Sequence, residues 1–246
     1  MSRGLNKAIE NREHQGNYTR VVNPPQLGTA EEWLEPSFWQ KQNAVVGQSK
    51  GRNVVWFVTD GAREFVLRHY YRGGLPGKLI TDQFIYTGVE NTRSMAEFNL
   101  LLHLADQGLP VPRPVAARVE RRGLIYRASL LIERIAGARD IFQLVCAAPL
   151  PMKTWEHIGS MLAAFHHAGV YHSDLNCHNI LWQDQNDIAK PWLIDFDRCE
   201  LRRSGVWKAA NIARLRRSFE KELRLQPSFY WQEGDWQALL KGYEQG

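Results

Sequence analysis

A histidine, an aspartate and two asparagines stand close together in the sequence HSDLNCHN at 172–179, which is framed by apolar residues on both sides. They are His172, Asp174, Asn176 and Asn179, and a further acid, Asp195, ends the later apolar run WLI. Phosphoryl transfer from a magnesium-bound nucleotide needs a carboxylate that orients and deprotonates the incoming hydroxyl, together with hard oxygen ligands for Mg²⁺. Asp174 suits the first role, and Asn179 and Asp195 suit the second.

The other polar residues around these acids have simpler interpretations. We expect His172 to pack and to hydrogen-bond the loop backbone rather than to transfer a proton. We expect Asn176 to orient the loop rather than to bind metal. Two interpretations of Asp197 stay open, a second neighbour of the metal or a helix cap. An ordinary loop acid is a poor interpretation of Asp174, because the two metal-ligand candidates follow at fitting distances.

The first half of the chain reads mainly as strands. Residues 53–58 and 64–70 are rich in β-branched and aromatic residues and are separated by TDGA, which predicts a hairpin. Apolar residues at helical spacing predict a helix over 94–108, with Ser94 as a possible cap and Gly108 as the stop. Two more strands, VAARVE and LIYRASLLIERI, follow an extended LPVPRP segment.

The second half reads mainly as helices. The spacing predicts a helix over 152–169 with one apolar face made by Trp155, Ile158, Leu162 and Phe165. His166 and His167 end this helix, where the helix dipole favours a capping positive charge. The strands NILW and PWLIDF are predicted to pair as a hairpin that brings Asp174, Asn179 and Asp195 into one cleft.

This order of elements predicts an α+β fold with two lobes. We expect a β-rich N-terminal lobe over residues 1–134 and a helical C-terminal lobe over residues 135–246, joined near 133–137.

Composition narrows the class of protein. The chain has 246 residues, of which 44% are hydrophobic, and no apolar run approaches the roughly 20 residues that cross a bilayer. The polar start predicts no secretory signal. Cys146, Cys177 and Cys199 form no CxxC pair, which favours a reducing cytoplasm over a disulfide framework or zinc site. The net charge of +5 is compatible with an anionic partner, but the sequence contains no recognisable nucleic-acid-binding module.

Two motifs resemble those of a known superfamily. HSDLNCHNIL and LIDFD are similar to the catalytic loop and the metal-binding turn of the protein-kinase-like superfamily, with Ser173 in place of its arginine and Asp197 in place of the glycine of D-F-G. VLRHYYRGG, AEFNLLLHLADQGLPVPRPVAA and YHSDLNCHNIL resemble the lipopolysaccharide core kinases. Among these the similarity is greatest to the branch that phosphorylates 3-deoxy-D-manno-octulosonic acid (Kdo) on a lipid A precursor.

The resemblance implies a protein-kinase-like fold with a reduced C-terminal lobe, and ATP and Mg²⁺ as cofactors. It implies that GQSKGR at 47–52 is a reduced glycine-rich loop, in which Gly47 and Gly51 allow close approach to the phosphates. Arg68 stands where the superfamily has a strand lysine, and Glu97 would pair with it. Lys78 is a competing phosphate ligand.

By the same resemblance, Glu133 to Ile135 form the hinge that offers backbone hydrogen bonds to the adenine. The carboxylate of Asp174 would orient the 4-hydroxyl of the Kdo sugar.

The sequence favours a small acceptor over a protein substrate. No A-P-E sequence follows Asp197, and the remaining chain is short for a peptide-docking lobe. Ser173 also removes the arginine that reads activation-loop phosphorylation. The alternatives are another sugar kinase of the same fold, acting on a heptose or an aminoglycoside-type acceptor, and a non-catalytic pseudokinase that binds nucleotide or lipid.

A basic amphipathic helix is predicted over 208–225. Its apolar face is Ile212, Leu215 and Phe219, and its cations are Lys208, Arg214, Arg216, Arg217, Lys221 and Arg224. It is either a solvated face or a contact with acidic lipid A head groups and the inner leaflet. The resemblance implies a Kdo-lipid A precursor as partner, no nucleic acid, and a peripheral location on the cytoplasmic side of a Gram-negative inner membrane. The sequence leaves the oligomeric state open.

Overall fold

A computed structural model describes residues 9–50, 54–71, 82–185 and 188–246 of the chain. The chain divides into two compact units, one made of Met1–Asp106 with Pro112–Arg134 and the other of Gln107–Val111 with Ile135–Gly246. The first unit carries a large antiparallel sheet, and the second carries most of the helices.

The first unit is organised around its sheet. The strands are β1 (Glu10–His14), β2 (Asn17–Val21), β3 (Val45–Lys50), β4 (Val54–Thr59), β5 (Glu64–His69), β6 (Phe84–Ile85), β7 (Pro114–Arg122) and β8 (Ile125–Glu133). Within the described residues they follow the order β1-β2-β7-β8-β5-β4-β3, and β6 pairs with β8. The predicted hairpin is confirmed as β4 and β5, and the carboxylate of Asp60 accepts hydrogen bonds at 3.0 and 2.8 Å from the next turn residues, Ala62 and Arg63.

The two faces of this sheet are covered by different helices. The short α1 (Pro36–Lys41) buries Trp39 in a cluster with Phe65 and Leu67 of β5. Alternation along β5 then directs Arg68 to the opposite face. There α2 (Arg93–Asp106), preceded by a 3₁₀ turn over Val89–Asn91, packs against β7 and β8. One side of β5 therefore packs in the core, and the other side carries Arg68.

The predicted cap of α2 is wrong. The helix begins at Arg93, and Ser94 lies inside it, fully buried, with its hydroxyl donating to the carbonyl of Arg118 at 3.0 Å. Thr92 precedes the helix, and its carbonyl accepts the first helical hydrogen bond from Ala96 at 2.9 Å. Ser94 therefore ties the helix to β7 instead of capping it.

The second unit contains four helices and five short strands within its described residues. They are β9 (Ala138–Asp140), α3 (Ile141–Ala147), α4 (Met152–His167), β10 (Val170–Tyr171), β11 (Ile180–Gln185), β12 (Ile188–Leu193), β13 (Glu200–Leu201), α5 (Trp207–Leu225) and α6 (Glu233–Gln245). β12, β11 and β9 form one antiparallel sheet, and β10 pairs with β13. The predicted apolar face of α4 is buried as expected.

Sequence reasoning missed α3. Its start carries a recognisable signal, because the carboxylate of Asp140 accepts a hydrogen bond from the backbone N–H of Gln143 at 2.7 Å, as an N-cap does.

The predicted capping role of His166 is also wrong. His166 is buried at the end of α4, with Nδ1 2.6 Å from the hydroxyl of Tyr243 in α6 and Nε2 3.3 Å from Oδ1 of Asn211. Burial lowers the pKa of His166 to about 4, so the ring is neutral at neutral pH. Tertiary packing by α6 removes the solvent that a charged cap would need.

The buried His166 predicts a pH-dependent stability. Its pKa of about 4 in the folded chain lies below the ordinary 6.5, so the unfolded chain binds the extra proton. The stabilising contribution is complete above about pH 6.5 and is lost as the pH falls towards 4. In urea unfolding at several pH values, His166→Gln should flatten the pH dependence of the unfolding free energy over this range. The variant of its exposed neighbour, His167→Gln, should keep the wild-type dependence, and an unchanged slope for His166→Gln would contradict the assignment.

Two glycines let α4 and α6 approach closely. A Cβ at Gly159 of α4 would overlap the backbone oxygen of Leu239, and one at Gly242 of α6 would overlap the backbone oxygen of Glu156. Backbone atoms cannot move aside as a flexible side chain does. Ser160 adds a hydrogen bond across this contact, from its hydroxyl to the carbonyl of Gly242 at 3.1 Å.

We expect Gly159→Ala to destabilise the protein by about 3 kcal/mol, the upper range for overpacked sites. The measurement is chemical unfolding followed by circular dichroism. Gly234→Ala in the first turn of α6 is the matched control, because its Cβ would meet only the flexible methyl of Met152 at 3.4 Å. Equal stability of the two variants would show that the α4–α6 contact tolerates a methyl group.

Candidate active site

The loop between β10 and β11 is built on a buried histidine. The Nε2–H of His172 donates to the carbonyl of Ile194 at 3.0 Å, and its Nδ1 accepts from the backbone N–H of Asp174 at 3.3 Å. The ring packs edge-on against Phe196 at 5.2 Å between centroids. Burial lowers the pKa of His172, which keeps it neutral. The predicted packing and hydrogen-bonding role is confirmed.

Two asparagines fold the rest of this loop around Asp174. Oδ1 of Asn176 accepts from the backbone N–H groups of His178 and Asn179 at 2.9 and 3.2 Å, and its Nδ2 donates to the carbonyl of Asp174 at 3.0 Å. Nδ2 of Asn179 donates to the same carbonyl at 2.9 Å. The predicted orienting role of Asn176 is confirmed. Because Nδ2 of Asn179 is used in this way, its amide oxygen is the atom left to bind a cation.

Asp195 lies two residues after the end of β12, in a strained backbone conformation. Its φ of +65° is in the left-handed region, which is uncommon for residues other than glycine. The predicted β11–β12 hairpin is present, and the N–H of Ile194 donates to the carbonyl of Asn179 at 3.0 Å. The hairpin therefore joins the backbones beside the two candidate metal ligands. Backbone strain held by surrounding structure is typical of functional turns.

Ser173, which stands where the kinase superfamily has an arginine, bonds the loop at 172–179 to the segment that follows Asp195. The hydroxyl of Ser173 donates to the carbonyl of Asp197 at 2.7 Å, and its N–H donates to Sγ of Cys199 at 3.3 Å. Asp197 sits in a turn before β13, and the next helix begins only at Trp207. The interpretation of Asp197 as a helix cap is therefore wrong, and a role next to the metal stays a prediction.

Helix α5 supplies two residues that sequence reasoning missed. Asn211 is buried, with its Nδ2 donating to the carbonyl of His172 at 2.7 Å and its Oδ1 accepting from the N–H of His172 at 3.3 Å. Arg214 forms an ion pair with Oδ1 of Asp174. The available signal was a polar residue, Asn211, next to Ile212 on an otherwise apolar helix face. It indicates a buried polar contact but not its partner.

In the first unit, Arg68 and Glu97 form the predicted ion pair between β5 and α2. The carboxylate of Glu97 is 1% exposed and also accepts a hydrogen bond from the hydroxyl of Tyr70 at 2.6 Å. Burial, and then the charge of Glu97, raise the pKa of Tyr70 well above its ordinary value, so Tyr70 remains a donor. The guanidinium of Arg68 also lies 5.2 Å from the centroid of the Tyr70 ring. These contacts fix Arg68 in one orientation.

The expected phosphate loop is described only in part. Gly47 lies within strand β3, at a shift in the β3–β4 register, and not in a loop. The expectation of a loop there is wrong, because residues 47–50 continue the hydrogen-bonded ladder with β4. A Cβ at Gly47 would lie 3.3 Å from the ring of Phe57, so the small residue permits the close pairing. Gly51 and Lys78 lie outside the described residues.

The two ends of the predicted hinge have different surroundings. Glu133 is the last residue of β8, its N–H donates to the carbonyl of Arg113 at 2.8 Å, and its carboxylate accepts from Arg63 at 3.0 Å. Ile135 belongs to the second unit and lies outside the strands. The backbone N–H of Glu133 is thus already bonded to Arg113, just before β7, and the adenine contact of Ile135 stays a prediction.

The candidate metal ligands fit a magnesium ion that arrives with a nucleotide. In the described part of the chain, no three or more His, Cys, Asp or Glu side chains are grouped to hold a metal. Asn179 and Asp195 offer an amide and a carboxylate. Mg²⁺ is commonly held by one or two protein carboxylates together with waters and substrate phosphates.

The basic helix is partly neutralised by its own surroundings. Arg216 bonds to Glu220 and Glu233, each at 2.9 Å, and Lys221 lies 3.3 Å from Glu222. No helix among the described residues is both long and apolar enough to cross a membrane. Two of the six predicted cations of α5, Arg216 and Lys221, are therefore paired with neighbouring acids.

Comparison with known proteins finds a matching family model and relatives that share one name. A model of the Lipopolysaccharide kinase (Kdo/WaaP) family matches residues 36–243. The 3-deoxy-D-manno-octulosonic acid kinase of Photobacterium profundum is 47% identical, over 86% of this chain and 88% of that relative. The kinase of the same name from Haemophilus influenzae (strain 86-028NP) is 43% identical, over 88% and 91%. The solved structure described as WaaP in complex with acyl carrier protein has a TM-score of 0.54 at 16% identity, over 86% and 87% of the chains. That likeness confirms the predicted protein-kinase-like α+β fold.

Proposed function

The chain belongs to the lipopolysaccharide kinase (Kdo/WaaP) family, and from that premise we propose that it transfers the γ-phosphoryl group of ATP to the 4-hydroxyl of a Kdo sugar on a lipid A precursor. The observation that carries the proposal is the exposed Asp174, held by a loop whose backbone is fixed at His172, Asn176 and Asn179. A half-exposed carboxylate on a fixed backbone is accessible to an incoming hydroxyl.

In this mechanism Asp174 positions the acceptor hydroxyl and takes its proton. The hydroxyl oxygen forms a bond to the γ-phosphorus while the bond from that phosphorus to the bridging oxygen breaks, and ADP leaves with that oxygen. Protein kinases use their catalytic-loop aspartate in the same way. The neutral, buried His172 holds the backbone of Asp174 and takes no part in the proton transfer.

Five further residues would contact the nucleotide or its magnesium ion. Asn179 and Asp195 would hold Mg²⁺, which supplies charge neutralisation on the phosphates when it is bound. Arg68 is oriented by Glu97, and a guanidinium binds phosphate oxygens through its planar fork. Gly47 would lie near the phosphates, and the backbone of Ile135 would meet the adenine.

The Kdo acceptor is supported by the names of relatives that are 42–47% identical over most of the chain. A lipid A precursor is anchored in the inner membrane, so we place the enzyme on its cytoplasmic face as a peripheral protein. Arg217 and Arg224 are exposed on α5, and Leu223 and Leu225 nearby are 45% and 63% exposed. Exposed cations next to exposed leucines suit an anionic lipid surface.

The test is phosphate transfer from labelled Mg-ATP to a panel of acceptors. The panel contains a Kdo-bearing lipid A precursor, a heptose-bearing core fragment and an aminoglycoside. Label on the Kdo acceptor, with NMR placing the phosphate on the 4-hydroxyl, is the expected result. Label only on a heptose or aminoglycoside would move the proposal to another sugar kinase. Nucleotide binding without transfer to any acceptor would favour the pseudokinase interpretation.

A further inference from the structure

The ion pair between Arg214 and Asp174 gives the base a partner that competes with the acceptor. Nη2 of Arg214 contacts Oδ1 of Asp174, and the two side chains are 47% and 51% exposed. That carboxylate is the group to which the acceptor hydroxyl must donate its hydrogen bond. We propose that Arg214 binds the carboxylate of a sugar-acid acceptor and thereby releases Asp174 for the reaction. This inference rests on the proposed function, because it requires an acceptor that carries a carboxylate.

Arg214 is held at this place by the packing of its helix. Ile212 and Leu215 are buried, and Asn211 bonds to both the N–H and the carbonyl of His172. Asn211 and Arg214 are three residues apart and therefore neighbours on the helix surface. The helix face that bonds to the catalytic loop thus also carries Arg214. The packing of α5 therefore places its guanidinium beside Asp174.

Two other cations of α5 form ion pairs with different partners. Arg216 bonds to Glu220 and Glu233, and Lys221 to Glu222. These acids lie on α5 itself or on α6, outside the catalytic loop. Arg214 is paired with the proposed base. Breaking its ion pair therefore affects the reaction directly, whereas breaking those of Arg216 and Lys221 does not.

The chemistry of the pair favours an exchange of carboxylates. A guanidinium binds a carboxylate through two parallel hydrogen bonds, and an incoming sugar acid brings such a carboxylate close to its own hydroxyls. Exposed ion pairs are weak, so Arg214 can leave Asp174 at little cost. Once Arg214 has turned to the acceptor carboxylate, Oδ1 of Asp174 accepts the hydroxyl. An uncharged sugar such as a heptose offers Arg214 no carboxylate and so gains no contact from it.

The experiment compares two acceptors and two forms of the enzyme. The acceptors are a Kdo-bearing lipid A precursor in detergent micelles and the same molecule with the Kdo carboxylate reduced to a primary alcohol. With the native acceptor, Arg214→Gln should raise the KM for the acceptor about 30-fold or more and leave the KM for ATP unchanged. With the reduced acceptor, wild type should lose a similar factor, and Arg214→Gln should add less than about threefold. Such non-additivity is the mark of a direct contact.

Controls separate this role from a general effect on the helix. Arg216→Gln removes another partly exposed arginine of α5 that is paired with carboxylates, and it should leave both KM values unchanged. Arg214→Lys keeps the charge but loses the fork, so it should lie between wild type and Arg214→Gln. Thermal unfolding of each variant confirms that it is folded.

The outcomes distinguish the two proposals. If Arg214→Gln impairs the native and the reduced acceptor by the same factor, the carboxylate contact is overturned while the Kdo kinase activity of the wild type stands. If the wild type phosphorylates no Kdo-bearing acceptor, the proposed function falls and this inference falls with it. A loss of activity by the wild type on the reduced acceptor, with little further loss in Arg214→Gln, supports both proposals.

Discussion

Asp174→Ala is expected to lower kcat by about 10³-fold, within the range for removal of a positioned general base. The KM for ATP should change little, because Asp174 contacts the acceptor hydroxyl and not the nucleotide. The backbone of the loop should survive the change, since it is held by His172, Asn176 and Asn179 through the main chain of residue 174. The measurement is the rate of label transfer at saturating Mg-ATP, beside nucleotide binding by calorimetry.

The matched control for this change is Asp184→Ala. Asp184 is an exposed acid near the far end of β11, outside the catalytic loop at 172–179. The Asp184→Ala variant should turn over at the wild-type rate. A rate for Asp174→Ala within threefold of wild type would remove Asp174 from the mechanism, and the loop would then need another base.

Asp195→Asn is expected to lower kcat by at least about 100-fold and to raise the Mg²⁺ concentration for half-maximal activity by about tenfold. An amide is a weaker ligand for a hard cation than a carboxylate. Asparagine tolerates the left-handed φ of +65° at this position as well as aspartate does, so the turn should keep its shape. The measurement is initial rate against free Mg²⁺ at fixed ATP.

Stability provides the control for Asp195→Asn. The unfolding free energy should stay within about 0.5 kcal/mol of wild type, because neither burial nor backbone conformation changes. An unchanged dependence on Mg²⁺ together with normal turnover would show that the turn carries no metal ligand. Asp195→Ala should show the same loss of activity with a lower stability, since alanine adopts the left-handed conformation less readily.

The arrangement of the candidate site was largely predictable from the sequence because its proposed residues are local. Asp174 and Asn179 are five positions apart in one loop, and a hairpin with recognisable strand composition brings Asp195 back to them. The pairing of Arg68 with Glu97 was predicted from a resemblance, and the alternation of β5 explains why the arginine faces α2. Helix and strand periodicity likewise predicted α2, α4, α5 and the β4–β5 hairpin.

Turn and cap details were less predictable, for a different reason. Ser94 and His166 have the residue types of a helix cap and a helix end, and local propensity alone favours those roles. In the folded chain both are buried, and packing assigns each a hydrogen bond to another element. Gly47 similarly reads as loop, but strand pairing with β4 places it in the sheet.

The sequence by itself thus determined the kinase class and the loop that we propose as catalytic, because those signals lie within short stretches whose spacing is fixed by strand and turn geometry. Only the tertiary structure decided that Asn211 and Arg214 of α5 reach the catalytic loop, and that Gly159 and Gly242 meet between α4 and α6. Helical periodicity shows that a face is apolar or charged, but it does not tell which distant part of the chain that face covers. That choice depends on how all the buried surfaces fit together at once.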